Sequence, residues 1–205
     1  MNRANDDTSE ALLAAAHHLL VTSGPDALTV RRIATEAGMS TMNVYSRFGG
    51  KDGVIDELFM SGYEQLLAAI DELPTTNDTL GDLIKVANIY RNFAQENPTF
   101  YGIMFRSTVP GYTASANAIE IAGRALFLMV ARVETAQQRG EITPVRDSRE
   151  IAAWLWATCH GMISLELDGV ASEYVSWPSI WEHGIHTAVN ALHPSRFKLP
   201  EQAPT

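Results

Sequence analysis

Apolar residues recur every three to four positions along almost the whole chain, the spacing of helices that bury one face. Leu12, Leu13, Ala16, Leu19 and Leu20 form the first such stripe, which Asp7 or Thr8 can cap and Gly24-Pro25 stops. Val30, Ile33, Ala34 and Ala37 form a second, short one. It opens at Thr29, an N-cap residue, and closes at Gly38, which tolerates the left-handed conformation of a helix end. Ser40 can cap the next helix, whose Val44 and Phe48 lie four apart, and Gly49-Gly50 ends it.

A longer helix is predicted from Lys51 to about Leu73, with Val54, Ile55, Leu58, Phe59, Leu66, Leu67 and Ile70 inward. The run Pro74-Thr75-Thr76-Asn77-Asp78 breaks the pattern and marks a boundary. Helices follow from about Thr79 to Glu96 and, after Asn97-Pro98, across Phe100 to Phe105. Ser107 to Tyr112 reads as a loop. Further helices are predicted from about Thr113 to Arg139, from an Asp147/Glu150 capping box to Leu167, and from about Pro178 to Leu192. Residues 194–205 carry three prolines and little to bury, which predicts a loose tail. The fold class is therefore all-α.

The segment from Leu28 to Lys51 carries the most information. Two short helices joined by a glycine turn make a helix-turn-helix, the unit that lays its second helix in the DNA major groove. Thr41, Asn43, Tyr45 and Arg47 fall outside the Val44/Phe48 stripe, as a groove-facing surface requires. Arg31, Arg32, Arg47 and Lys51 against Glu36 give this window a charge of +3. The whole chain carries −9, from 24 acidic and 15 basic residues, which leaves −12 elsewhere. A basic island on an acidic protein suits a localised phosphate-binding face.

Leu28-Thr29-Val30, Ile33-Ala34, Ala37-Gly38, Ser40, Val44-Tyr45, Phe48 and Lys51, in order and without a gap, resemble the DNA-binding domain of the TetR family of transcriptional regulators. The resemblance implies that Thr29, Tyr45, Arg47 and Lys51 hold phosphates and that Thr41, Met42 and Asn43 face base edges. Arg31 and Ser40 complete the DNA-facing set. Met42 and Asn43 depart from the small residue and the Thr or Ser frequent in the family, so the operator sequence cannot be carried over. Residues 1–50 are then the DNA-binding domain, 51–73 a connecting helix, and 74–193 a helical ligand-binding and dimerisation domain.

Trp156-Ala157-Thr158-Cys159-His160-Gly161 resembles the C-terminal domain of a TetR subgroup marked by a Trp-His-Gly pattern. Trp156 and His160 share a helical face. They either line an effector pocket or form a packing signature, and packing is the favoured reading. Tyr101, Met104, Phe105, Met129, Trp154 and Met162 are the other pocket candidates, being large, adaptable and mostly apolar. Such a pocket would take a hydrophobic small molecule, although each residue taken singly also suits an ordinary core. Two stripes, Ile151/Leu155/Thr158/Met162/Leu165 and Trp181/Ile185/Ala188/Leu192, either face the monomer's own core or form a homodimer contact through the last two long helices. The resemblance favours the contact.

Composition narrows the alternatives. One Cys excludes an intrachain disulfide framework and suits a reducing cytoplasm. The opening MNRANDDTSE does not resemble a signal peptide, and no run approaches the roughly 18 to 20 apolar residues of a membrane span. Cys159 lies on an apolar helix and reads as a buried, inert thiol. His183 and His186 lack the convergent partners of a metal site. No nucleophile elbow, phosphate loop or HExxH element is present, so no enzyme and no cofactor is expected.

Two functions stand. One is a ligand-responsive regulator, a repressor by preference, that binds a pseudo-palindromic operator as a homodimer and is released by a small hydrophobic effector. The other is a helical binding or enzymatic protein whose helix-turn-helix is only a packing element.

Overall fold

The computed structural model describes residues 3–106 and 109–195. Ser107 and Thr108 of the expected loop and residues 196–205 of the expected tail lie outside them. Among the described residues the chain is helical and without strands: α1 Arg3–Ser23, α2 Val30–Glu36, α3 Thr41–Phe48, α4 Lys51–Asp71, α5 Thr79–Glu96, α6 Pro98–Phe105, α7 Ala116–Gln138, α8 Ser148–Leu167 and α9 Trp177–Ala191. Asp7 and Thr8 fall inside α1 rather than at its start. Nothing in the preceding residues breaks a helix, and acidic residues near an N-terminus complement the helix dipole.

The chain divides into two compact units, residues 1–65 with 97–123, and residues 66–96 with 124–205. This packing division does not fall at the predicted break of residues 74–78, because α6 and its loop are built into the first unit. There His17 stacks on Phe100 at 4.7 Å, and the Tyr112 hydroxyl donates to Asp56 at 2.6 Å. Gly62 lets α6 approach α4: a Cβ there would lie 2.6 Å from Met104 Sδ. The core beneath the helix-turn-helix is made by Leu12, Ala16, Leu19, Leu20, Leu28, Ile33, Ala34, Val44, Val54 and Ile55, all buried. Leu13, on the flank of its stripe, is only half-buried.

In the second unit, α5 packs against α8 and α9. Leu83, Val86, Tyr90 and Phe93 are buried on α5, Ala152, Leu155, Cys159 and Ile163 on α8, and Trp181, Ile185, Ala188 and Val189 on α9. Gly184 permits close approach of the last two helices, since a Cβ there would lie 2.9 Å from Met162 Sδ. Arg91 clamps Glu166 with two hydrogen bonds, from Nε at 2.9 Å and Nη2 at 2.5 Å, and lies over the Trp181 ring. A bidentate pair of this kind fixes the register of α5 on α8.

This packing corrects the stripe assignment for six of its nine residues; of the others, Thr158 and Met162 are half-buried and Leu165 is exposed. Ile151, Leu155, Trp181, Ile185, Ala188 and Leu192 are all buried in the single chain. They form the monomer's core and cannot also be a contact surface. The apolar residues of α8 that face out are Ala153, Trp154, Trp156, Ala157 and Leu165.

Candidate nucleic-acid interface

Local chemistry builds the helix-turn-helix. The Thr29 hydroxyl accepts the Arg32 backbone N–H at 3.3 Å, the expected cap of α2. At the other end Gly38 has φ 66°, with Met39 N–H bonded to Ala34 O and Gly38 N–H to Thr35 O. These are the paired bonds of a Schellman turn, which aims the chain into α3. Ser40 opens α3 by its backbone, but its hydroxyl makes no capping bond to a backbone N–H. The hydroxyl is taken instead by the Asn43 side chain, whose Nδ2 donates to it at 3.3 Å. Gly49, at φ 72°, ends α3 in the left-handed conformation. Gly53 then seats the start of α4 against that end, since a Cβ would lie 1.8 Å from the Phe48 carbonyl oxygen.

Val44 is fully buried and Phe48 half-buried, so α3 turns one face inward. The rest of the helix faces out. Thr29, Arg31, Ser40 and Thr41 are exposed, Met42 is 70% exposed and Tyr45 55%, and Lys51 at the start of α4 is half-buried. Met42 and Tyr45 are thus the large side chains that α3 leaves bare.

Asn43 and Arg47 behave differently from the other candidates. Arg47 Nη1 donates to Asn43 Oδ1 at 3.1 Å and to Ser46 Oγ at 3.4 Å, while Arg47 Nε is buried with no hydrogen-bond partner among the described residues. The Asn43 amide is thus held from both ends, by Ser40 and by Arg47. It keeps one amide hydrogen and one carbonyl lone pair for a further partner. Sequence reasoning missed this linkage, although the i, i+4 spacing of Asn43 and Arg47 was its available signal.

The eight pocket candidates divide between the units. Tyr101 and Met104 are buried and Phe105 is half-buried in the first, within an aromatic cluster in which Tyr101 and Tyr63 both lie against Phe105. Met129, His160 and Met162 are half-buried in the second, where Trp154 and Trp156 are 44% and 43% exposed. Trp156 Nε1 donates to the Tyr90 hydroxyl at 3.3 Å. His160 Nδ1 lies 3.3 Å from the same oxygen, and Nε2 lies 3.5 Å from Ser164 Oγ. Both ring nitrogens thus lie within hydrogen-bond distance of a side-chain hydroxyl.

One cavity of the second unit, about 350 Å³, is lined by Trp154 with Arg146, Glu150, Ile151, Ala191 and Leu192. Cys159 is buried, and burial pushes its thiol up to about 12, so it is inert at neutral pH. No cluster of metal-binding side chains occurs among the described residues. No helix among them is long and apolar enough to cross a membrane.

These features define a DNA-binding protein of the helix-turn-helix class, and comparison with known proteins specifies it further. Residues 12–58 match the bacterial regulatory proteins of the tetR family, and residues 83–187 match the tetracyclin repressor-like C-terminal domain. The chain belongs to the TetR family of transcriptional regulators. The HTH-type transcriptional regulator Rv1816 of Mycobacterium tuberculosis is 27% identical over 180 residues, covering 73% of this chain and 76% of that protein. A Rhodococcus sp. RHA1 protein of unknown function has the same fold with a TM-score of 0.79 and 26% identity, covering 91% of this chain and 95% of its own. A bacterial regulatory protein of the tetR family from Rhodococcus RHA1 superimposes with a TM-score of 0.68 at 19% identity, covering 91% and 97%. The C-terminal match does not resolve the Trp-His-Gly subgroup.

Proposed function

We propose that this regulator is a cytoplasmic repressor that binds a pseudo-palindromic operator as a homodimer and releases it when a small hydrophobic effector binds its C-terminal helices. The observation that carries the DNA-binding part is the outer face of α3, bare at Thr41, Met42 and Tyr45, with the Asn43 amide held in place beside them. A helix serving only for packing would gain nothing from that arrangement.

In this reading Thr29, Arg31, Tyr45 and Lys51 grip phosphates, and Ser40 holds Asn43. Asn43 presents a donor and an acceptor to a base edge, the pairing that suits adenine, while Met42 covers a thymine methyl. Arg47 acts through Asn43 more than through phosphate, because one of its terminal nitrogens is already committed to that amide.

The dimer forms through α8 and α9, by way of Trp154, Ala157 and Leu165 and the open position at Gly161, where a Cβ would meet nothing within 4 Å. Two recognition helices about one DNA turn apart, roughly 34 to 36 Å, read the two half-sites, and an effector that changes this spacing by a few ångströms releases the operator.

The test is fluorescence anisotropy of the purified protein against the DNA upstream of its own gene, with a scrambled duplex alongside, across a salt series. A preference of roughly a thousandfold or more with strong salt dependence supports the reading. Equal, weak binding to every fragment of a genome-wide selection would reject it.

A further inference from the structure

Within the second unit a cavity of about 320 Å³ lies among the end of α4, the following turn, the start of α5 and the middle of α7. That volume is at the small end of the roughly 300 to 1,000 Å³ of ligand sites. Its walls divide by chemistry. Leu73, Leu128 and Ala131 make an apolar side, while Asp71, Thr75, Thr79, Asp82, Arg132 and Thr135 make a polar one.

Asp71 and Thr75 are exposed to solvent, and most of the other polar groups are already committed. Asp82 is buried, and both of its carboxylate oxygens are taken: Thr76 donates from its backbone and hydroxyl, and Lys85 Nζ lies 2.9 Å away. The Thr79 hydroxyl donates to Glu141, and the Thr135 hydroxyl donates to Ala131 O. Arg132 is the exception. Its Nη2 donates to the Ile70 carbonyl at 3.3 Å, but Nη1 is buried with no hydrogen-bond partner among the described residues. No carboxylate among the described residues lies within ion-pair distance of it. Three other arginines of this unit differ: Arg91 is clamped to Glu166, Arg139 reaches Thr76 O at 2.7 Å, and Arg146 pairs with Glu150. A guanidinium with a buried, unfilled donor at the wall of a cavity is a site for an acceptor, and a carboxylate answers both its hydrogen bond and its charge.

We propose that this cavity binds small monocarboxylates, with the Arg132 guanidinium anchoring the carboxylate and Leu73, Leu128 and Ala131 covering a short apolar body. Asp71 and Asp82 on the same wall set the number of charges, since a second carboxylate on the ligand would face one of them. The site takes one negative charge and rejects two.

Hexanoate is the probe, titrated into the full chain by calorimetry beside its neutral isostere hexanamide and the dicarboxylate adipate. The expected result is saturable one-to-one binding of hexanoate, about tenfold weaker for hexanamide and adipate. Arg132→Gln should remove that preference, and Leu128→Trp, which fills the cavity one turn from Arg132, should remove binding altogether. Absence of saturable hexanoate binding overturns the proposal, and so does equal affinity for hexanamide. Hexanoate affinity unchanged in folded Arg132→Gln or Leu128→Trp overturns it as well. The wild-type comparison with hexanamide decides even if a variant does not fold. No DNA enters the measurement, so the outcome is independent of the repressor reading.

Discussion

The recognition helix α3 and the helix pair α8–α9 both announce themselves by apolar stripes, yet the stripes lead to opposite lessons. In α3 the outer face is polar apart from Met42 and the Tyr45 ring. Val44 and Phe48 turn in, and whatever is left over, Thr41, Met42, Asn43 and Tyr45, is the proposed DNA-facing surface. In α8 both faces carry apolar residues. Ile151, Leu155, Cys159 and Ile163 point to the monomer's core, while Trp154, Ala157 and Leu165 are bare. Amphipathicity identifies the inner face of a helix only when the outer face is polar. When both are apolar, neighbouring helices decide which stripe is core.

The sharpest way to break this contrast is to truncate the two α8 faces separately. Leu155→Ala should cost about 2–5 kcal/mol of stability, because it leaves a cavity in a packed core. This loss should persist at the lowest protein concentrations in a denaturant titration. Ala157→Glu should leave the single chain's stability nearly unchanged and shift the dimer to monomer in sedimentation velocity. If Leu155→Ala only dissociates the dimer, the assignment of faces is reversed.

Gly53→Ala tests the other region. The new Cβ meets the Phe48 carbonyl, so the junction of α3 and α4 must shift, at about 1–3 kcal/mol. Specific DNA binding should disappear while circular dichroism still reports a helical protein.

A finer contrast lies within the recognition surface. Asn43→Ala should cost about 1–3 kcal/mol of discrimination at one base pair of each half-site, and Arg47→Ala should reproduce much of that loss. Lys51→Ala should weaken all sequences alike and reduce the salt slope by about one. If Arg47→Ala behaves like Lys51→Ala, Arg47 is a phosphate contact and does not orient Asn43.

The mildest effect appears only in acid. Burial pushes the Asp82 carboxyl upward, but the Thr76 backbone N–H, the Lys85 ammonium and the Thr76 hydroxyl together outweigh it and hold it below the ordinary 3.8. A carboxyl lowered in the fold contributes stability that is present above its ordinary value and is lost as pH falls from there through the lower folded value. Asp82→Asn should therefore flatten the acid limb of a pH-melting curve below about pH 4. It should leave the slope near neutrality unaltered.

How much could be read beforehand depended on range. Thr29, Gly38, Gly49 and the helix α5 from Thr79 to Glu96 were legible because caps, left-handed turns and apolar periods are settled within a few residues. Ser40 was half legible: it opens α3, but the nearby Asn43 amide engaged its hydroxyl. Arg91 with Glu166, and Trp181 with Asn88, had no local signal, since each pair is separated by more than seventy residues. The pocket candidates fared worst. Residue type selected Tyr101 and Trp154 alike, and the fold buried one in an aromatic cluster and left the other exposed in a different unit.

Sequence alone determined that this chain is helical, that it carries a helix-turn-helix with a basic island, and which family it resembles. All three rest on interactions a few residues apart and on a fixed order of residue types. Only the tertiary structure decided which face of α8 is core, that Arg91 clamps Glu166, and that Arg132 is left with a buried, unfilled donor beside a cavity. Packing and hydrogen-bond satisfaction depend on which distant side chains arrive at the same place.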